Sequence, residues 1–247
     1  MSASAEQNAS KIRKRRSRIG AALFLVGLAI AIIFSIVVFW PDQEATAFDR
    51  GLNREDTLPA LHCPLIITHK DDATIGVTIT NTHIRPTTLR IRSRIAEGSL
   101  AFLREDIQQI ALEPDEKQTL RWPIFMEDAA YDYMIIARVN QFQRTPFPAR
   151  ASSCGVLALD IGWLSGNQVV ALLVVSAVLC LAGGAALWLR NNRPLDWKRQ
   201  AAAKRAGIML GLVLLSIIAG LLKMPIIALI LLFFSLLFVV SVIERLA

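Results

Sequence analysis

Residues 19–40 read IGAALFLVGLAIAIIFSIVVFW, an unbroken run without a charged side chain. Crossing about 30 Å of hydrocarbon takes roughly 17–25 apolar residues in a helix. Three further runs follow, at about 168–189, 206–222 and 225–243. The run 206–222 is at the short end of that range. It begins after Lys204-Arg205 and stops at Lys223-Met224-Pro225, a tight turn, so the last two runs read as a transmembrane hairpin. Between the first two runs lies a long polar segment. The expected layout is an integral membrane protein with four transmembrane helices and one folded domain on one side of the bilayer.

The chain has 247 residues, is 54% hydrophobic and carries a formal net charge of +7. Its mean hydropathy is +0.46 and its pI is about 9.8. A basic balance can signal nucleic acid, but its placement argues otherwise. Residues 1–18 hold six basic side chains against Glu6, and the loop 190–205 holds six against Asp196. Segment 41–167 is net acidic, with 13 basic and 17 acidic residues. Short loops rich in Lys and Arg stay on the cytoplasmic side. Both termini, including the tail 244–247, and the 190–205 loop are therefore expected inside, and the large domain outside. The basic runs read as topology signals and contacts to anionic lipid rather than as a nucleic-acid footprint.

Residues 11–18 resemble the basic start of a signal peptide, and Ala45-Thr46-Ala47 resembles a cleavage site. The apolar run is longer than the 7–15 residues usual in a signal peptide, which favours an uncleaved anchor. Cleavage would leave three spans and an external mature N-terminus.

Residues 41–57 read as a linker, and from Leu58 the pattern changes. Leu61, Cys63, Leu65 and Ile67 alternate with other residues, as do Ile75, Val77 and Ile79. Leu89, Ile91 and Ile95 take one face of a run whose other face carries Arg90, Arg92 and Arg94. Shorter strands are expected near 100–104, 107–112 and Leu120–Trp122. Tyr131, Tyr133, Ile135, Ala137 and Val139 alternate strongly, and Val156, Leu157 and Leu159 finish the segment. Seven or eight short strands with turns every 8–12 residues predict an all-β antiparallel sandwich over residues 58–166.

Three stretches, GVTITN at 76–81, IALEPDEKQTLRW at 110–122 and AAYDYMIIARV at 129–139, resemble the bacterial immunoglobulin-like and fibronectin type III-like domains of cell-envelope proteins. The resemblance covers residues 58–160 and implies a binding or spacing module. It departs from antibody-type domains in its cysteines, which would join the first and last strands. Cys63 and Cys154, an even pair in an oxidising compartment, are expected to form a disulfide. It would close a loop of about 90 residues, for which chain entropy suggests roughly 4–5 kcal/mol, often less in practice. The alternative is a redox or metal site, but His62, His69 and His83 have no metal-motif spacing with the cysteines. Cys180 lies inside the second span and reads as a packing residue.

Period two puts Arg90, Arg92 and Arg94 on one side of their strand. They could dock lipid headgroups or an acidic partner, or form a solvated face that discourages edge-to-edge pairing. Phe147, between Pro146 and Pro148, is either a contact point or an end cap. Trp122–Met126 reads as core. The acidic pairs Asp71-Asp72, Glu105-Asp106, Asp115-Glu116 and Glu127-Asp128 lack a calcium-loop spacing and read as turn acids. There is no G-x-S-x-G, H-E-x-x-H, phosphate loop or dinucleotide fingerprint, so no enzyme and no cofactor is expected.

The spans hold no ionisable residue in their middles, which argues against transport by this chain alone. Small residues recur every fourth position: Gly27, Ala31 and Ser35; Ser176, Cys180 and Gly184; Gly207 and Gly211. Such stripes let helices approach closely, either within this chain or onto another membrane protein. Trp40, Trp163, Trp188 and Trp197 fall near the expected interfaces. Asp196 is placed to cap a surface helix leading into the third span.

The functional expectation is a non-enzymatic accessory, scaffolding or assembly subunit of a larger membrane complex in a prokaryotic plasma membrane. Its partners would be lipid and other membrane proteins. Competing readings are an envelope sensor, which lacks a cytoplasmic output domain, and a transport-associated protein.

Overall fold

The computed structural model describes residues 2–49, 56–58, 61–142, 149–193, 197–222 and 224–246. The chain forms two compact units, residues 1–39 with 171–247, and residues 40–170.

Four helices account for the first unit and its connections: α1 Ser2–Asp49, α2 Gly166–Asn191, α3 Trp197–Leu221 and α4 Pro225–Leu246. Three apolar stretches, within Lys11–Ala47, Gly166–Asn191 and Ala203–Leu221, are long enough to cross a membrane. Among the described side chains, the apolar part of α4 covers Ile226–Phe238. Pro225 sits at the first helical position of α4, where a missing N–H costs nothing.

In α1 and α2 the small residues bring backbones together. A Cβ on Gly184 would stand 2.5 Å from the Phe24 amide nitrogen and 2.7 Å from the Gly20 carbonyl oxygen. One on Gly27 would stand 2.7 Å from the Leu181 amide nitrogen. Hydrogen bonds tie the ends of these helices. Asn192 Nδ2 donates to Ser17 Oγ at 2.8 Å, and Arg13 Nη2 donates to the Arg193 carbonyl at 2.6 Å. Buried Ser216 Oγ donates to the Ala228 carbonyl, joining α3 to α4.

The second unit is built on two sheets. One runs β1 (Asp56–Thr57), β9 (Arg150–Leu159), β8 (Met134–Gln141), β5 (Thr87–Glu97), β6 (Ser99–Leu112), with β3 (Ile66–Thr68) also paired to β9. The other runs β2 (Leu61–His62), β4 (Ala73–Thr80), β7 (Lys117–Ile124). The β1 and β3 pairings to β9 are parallel, and the other pairings are antiparallel. Alternation explains the burial. Ile75, Val77 and Ile79 are buried on β4, as are Leu89, Ile91 and Ile95 on β5. Side chains of both sheets join one hydrophobic cluster, including Val77, Leu120 and Trp122 from one and Ile91, Ile135 and Val156 from the other. Each such aliphatic residue contributes about 1.5–3 kcal/mol when fully buried. The Cys63–Cys154 disulfide forms, with a sequence separation of 91 residues.

Three details depart from the sequence reading. First, α1 does not stop at Trp40 but continues through Pro41 to Asp49, so the segment read as a linker is helical up to that residue. Pro41 lacks a donor to continue the helix ladder, yet the turn beyond it is held by packing. Ala45 is fully buried with Ala96, Ala130, Met134 and Ile136, and Asp42 Oδ1 accepts the Gly155 amide at 3.1 Å. Gly155 permits this approach, because a Cβ there would overlap the Pro41 carbonyl. Second, the two short strands expected at 100–104 and 107–112 are one, β6. Third, Tyr131 and Tyr133 precede their strand. Tyr131 (φ 56°) and Asp132 (φ 63°) occupy the centre of a tight turn in which the Tyr133 amide donates to the Ala130 carbonyl. Two positive φ values in succession give a type I′ turn, a geometry that alternation cannot reveal.

Candidate functional site

The charged outer face of the six-stranded sheet is the most distinctive polar surface. β5 turns Leu89, Ile91 and Ile95 into the core, so Arg90, Arg92 and Arg94 stand on the opposite side. Register then decides their fates. Arg94 lies opposite Glu105 on β6 and opposite Arg138 on β8. Its Nε donates to Glu105 Oε1, which neutralises this end of the ridge. Arg138 is 6% exposed, and its Nε donates to Asn140 Oδ1 at 2.7 Å.

Arg90 and Arg92 are arranged differently. Their guanidinium carbons lie 5.0 and 4.9 Å from the centroid of the Phe142 ring. The Phe142 amide donates to the Arg90 carbonyl, fixing the ring beside the strand. Each cation–π contact contributes about 0.5–1 kcal/mol at an exposed site. Among the described residues neither arginine makes an ion pair, and Arg92 Nε is buried without a hydrogen-bond partner. Burial first, then the charge of Arg94, holds the Arg92 pKa below its ordinary value. Two cations are thus held together by an aromatic ring rather than by an acid. Ile84 (91% exposed) lies just before β5, and Ile107 (44%) faces Arg92 across the β5–β6 pair. The surface is both cationic and apolar, suited to an acidic protein segment with an apolar side chain.

Sequence reasoning located Arg90, Arg92 and Arg94. It missed Phe142, Arg138 and Ile84. Arg138 and Phe142 share a phase of β8, opposite to the strong Ile135–Ala137–Val139 alternation, and that phase was the available signal. Phe147 lies outside the described residues, as does Asp196.

A second polar cluster joins β6 to β7. Arg104 Nη2 donates to Asp128 Oδ2 and to the Pro123 carbonyl, each at 2.8 Å. Trp122 Nε1 and Gln108 Nε2 both donate to Asp106 Oδ2. A partly open cavity of about 180 Å³ lies here, lined by Ser93, Ile95, Arg104, Asp106, Trp122 and Pro123. These polar groups satisfy one another, so the cluster reads as a latch between strand edges. Among the described residues no group of three or more His, Cys, Asp and Glu side chains could hold a metal.

In the helical unit the small-residue stripes divide. Gly27, Cys180 and Gly184 pack at the close approach of α1 and α2, and Ala31 and Ser35 are buried. Ser176 Oγ donates to the Leu173 carbonyl within its own helix. Among the described residues, nothing stands within 4 Å of where a side chain on Gly207 or Gly211 would be. Gly207 instead borders an apolar cavity of about 110 Å³ with Gly20, Phe24, Gly184, Trp188 and Ala206.

No family model and no curated protein matches this chain. Among solved structures, a Paenibacillus sp. cycloisomaltooligosaccharide glucanotransferase is 10% identical, with a TM-score of 0.31 over 44% of this chain and 15% of that one. A β-glucosidase from Erythrobacter marinus is 17% identical, with a TM-score of 0.27 over 38% of this chain and 14% of that one. A Listeria innocua β-glucosidase is 13% identical, with a TM-score of 0.27 over 39% and 15%. The chain therefore spans about 15% of the length of these proteins. Likeness at this level names no family for it.

Proposed function

We propose that this protein is a non-enzymatic accessory or scaffolding subunit of a larger membrane complex. Its helices cross a prokaryotic plasma membrane with both termini in the cytoplasm. Its β-rich unit is an extracytoplasmic immunoglobulin-like sandwich that docks an acidic partner protein. The observation that carries the reading is the Arg90–Arg92 pair, held on Phe142 without an ion pair among the described residues, with exposed Ile107 opposite Arg92 on β6. Two crowded arginines repel each other unless a partner supplies negative charge, and complementary charge across an interface sets specificity and register. The basic 1–18 and 190–205 segments support the topology.

The test is purification of the full chain from its native membrane in mild detergent, with mass spectrometry of what co-elutes. A partner in stoichiometric amount is expected, and its retention should fall at least tenfold, roughly 1.4 kcal/mol, in an Arg90→Glu/Arg92→Glu double variant. Elution of the wild-type protein alone would overturn the subunit reading. A partner retained equally by both proteins would move the docking site off this face.

A further inference from the structure

We propose that the C-terminal half of β9 and the turn beside it form a lipid-facing collar, in which Trp40, Tyr131, Tyr133 and Trp163 seat the β-rich unit in the headgroup layer. All four side chains are exposed, at 51%, 59%, 43% and 74%. They gather around one stretch of the fold. The Ala158 amide of β9 donates to the Tyr133 carbonyl at 2.8 Å. Trp163 follows the end of β9 by four residues and precedes α2 by three. Trp40 ends the apolar run of α1, and the next residue, Pro41, lies against Gly155 of β9. Both chain connections to apolar helices therefore pass through the same patch that exposes the aromatics.

The tyrosine turn adds an independent observation. A left-handed backbone costs a non-glycine residue roughly 1–2 kcal/mol, and type I′ turns favour Asn-Gly. Here Tyr131 and Asp132 take those positions. The Tyr131 and Tyr133 rings stack, with centroids 6.3 Å apart and planes at 26°, yet both remain open. A turn selected only for stability would use smaller residues. A large ring on a strained, exposed turn is retained when the ring meets something outside the fold. Indole and phenol groups combine an apolar body with a polar edge, the property that concentrates Trp and Tyr at membrane interfaces. Charged Asp132 and Asp160 in the same region limit the depth to headgroups rather than hydrocarbon. The opposite strand ends are different in kind, since Ile84 and the Arg90–Phe142 contact lie there.

This inference rests on the placement of the helices in a bilayer but needs no protein partner. The full chain, with Cys180→Ser, is reconstituted alone in zwitterionic lipid nanodiscs. Nitroxide labels are placed one at a time at Asp132→Cys, Gly162→Cys, Ile84→Cys and Leu179→Cys, none of which removes a collar aromatic. Accessibility to a water-soluble relaxation agent is then measured. Labels at 132 and 162 should be severalfold less accessible than at 84, and a Tyr131→Ser/Tyr133→Ser double variant should raise the value at 162. If 132 and 162 match 84 while 179 is lipid-embedded, the collar is overturned and the membrane placement stands. If 179 is also water-accessible, both fail.

Discussion

The two units solve apolar burial in different ways. In the β-rich unit Ile67, Ile75, Leu89 and Ile135 are at most 1% exposed, and both sheets feed one core. In the helical unit Leu179, Leu222 and Ile226 are more than 60% exposed, as a structure completed by another apolar medium would leave them. The contrast continues within the helices. Gly184 is closed by Phe24 and Gly20, whereas no described residue closes on Gly207 or Gly211. A small-residue spacing in sequence is the same in both places, so what the motif does depends on whether a second backbone arrives. In lipid that close approach is itself the main driving force, because hydrocarbon competes for every apolar side chain.

The largest effect should come from removing the disulfide within the β-rich unit. Replacing Cys63 and Cys154 by Ser removes a link spanning 91 residues. The expected loss is about 2–5 kcal/mol, confined to the β-rich unit. Buried Trp122 reports on that unit by fluorescence, and far-ultraviolet circular dichroism is dominated by the helices. In detergent the Trp122 transition, isolated by replacing the other tryptophans with Phe, should fall while the helical transition stays. A parallel fall in both would break the comparison by showing one cooperative structure.

An intermediate effect sharpens the contrast between glycines. Gly184→Leu forces a side chain into backbone of α1, and overpacking of this kind costs about 1–3 kcal/mol. Gly207→Leu and Gly211→Leu should lie within about 0.5 kcal/mol of the parent, as substitutions at open sites do. Thermal loss of helical signal in detergent compares the three directly. Equal destabilisation by all of them would mean that the Gly207–Gly211 face of α3 also packs closely on a neighbour.

Which parts of this were legible in the sequence follows from period. Strand alternation at Ile75–Ile79 and Leu89–Ile95 placed the core correctly, because burial on one face imposes period two. The cysteine pair was legible for a different reason, since two thiols remained in one expected compartment. Turn geometry was not legible. Tyr131 and Tyr133 carry strand propensity, and nothing local marks the positive φ that sets them before β8. The continuation of α1 past Pro41 was hidden as well, because Ala45 and Gly155 meet only after folding. At the candidate site the three arginines were visible as a stripe. Their division into a neutralised Arg94 and an unpaired-by-acid Arg90–Arg92 depends on Glu105 and Phe142, which strand register supplies.

The smallest effect probes how dry the β-rich unit is near its edge. Asp128 is 4% exposed, and burial pushes its carboxyl above the ordinary carboxylate value against the opposing pull of the Phe125 amide and Arg104. With the folded pKa raised, the folded state holds this proton more tightly than the unfolded chain. Linkage then makes stability fall as pH rises from about 4 through the folded pKa, and level off above it. Asp128→Asn removes that titration while keeping the shape. The melting temperature of the wild-type protein relative to the variant should therefore decline as pH rises through that window. Other carboxylates titrate in both proteins and cancel in the difference. A difference that instead moves in favour of the wild type with rising pH would mean that the Arg104 contact outweighs desolvation. The β6–β7 edge would then be wetter than the core it borders, and the division between a sealed β-rich unit and open helices would be less sharp than burial implies.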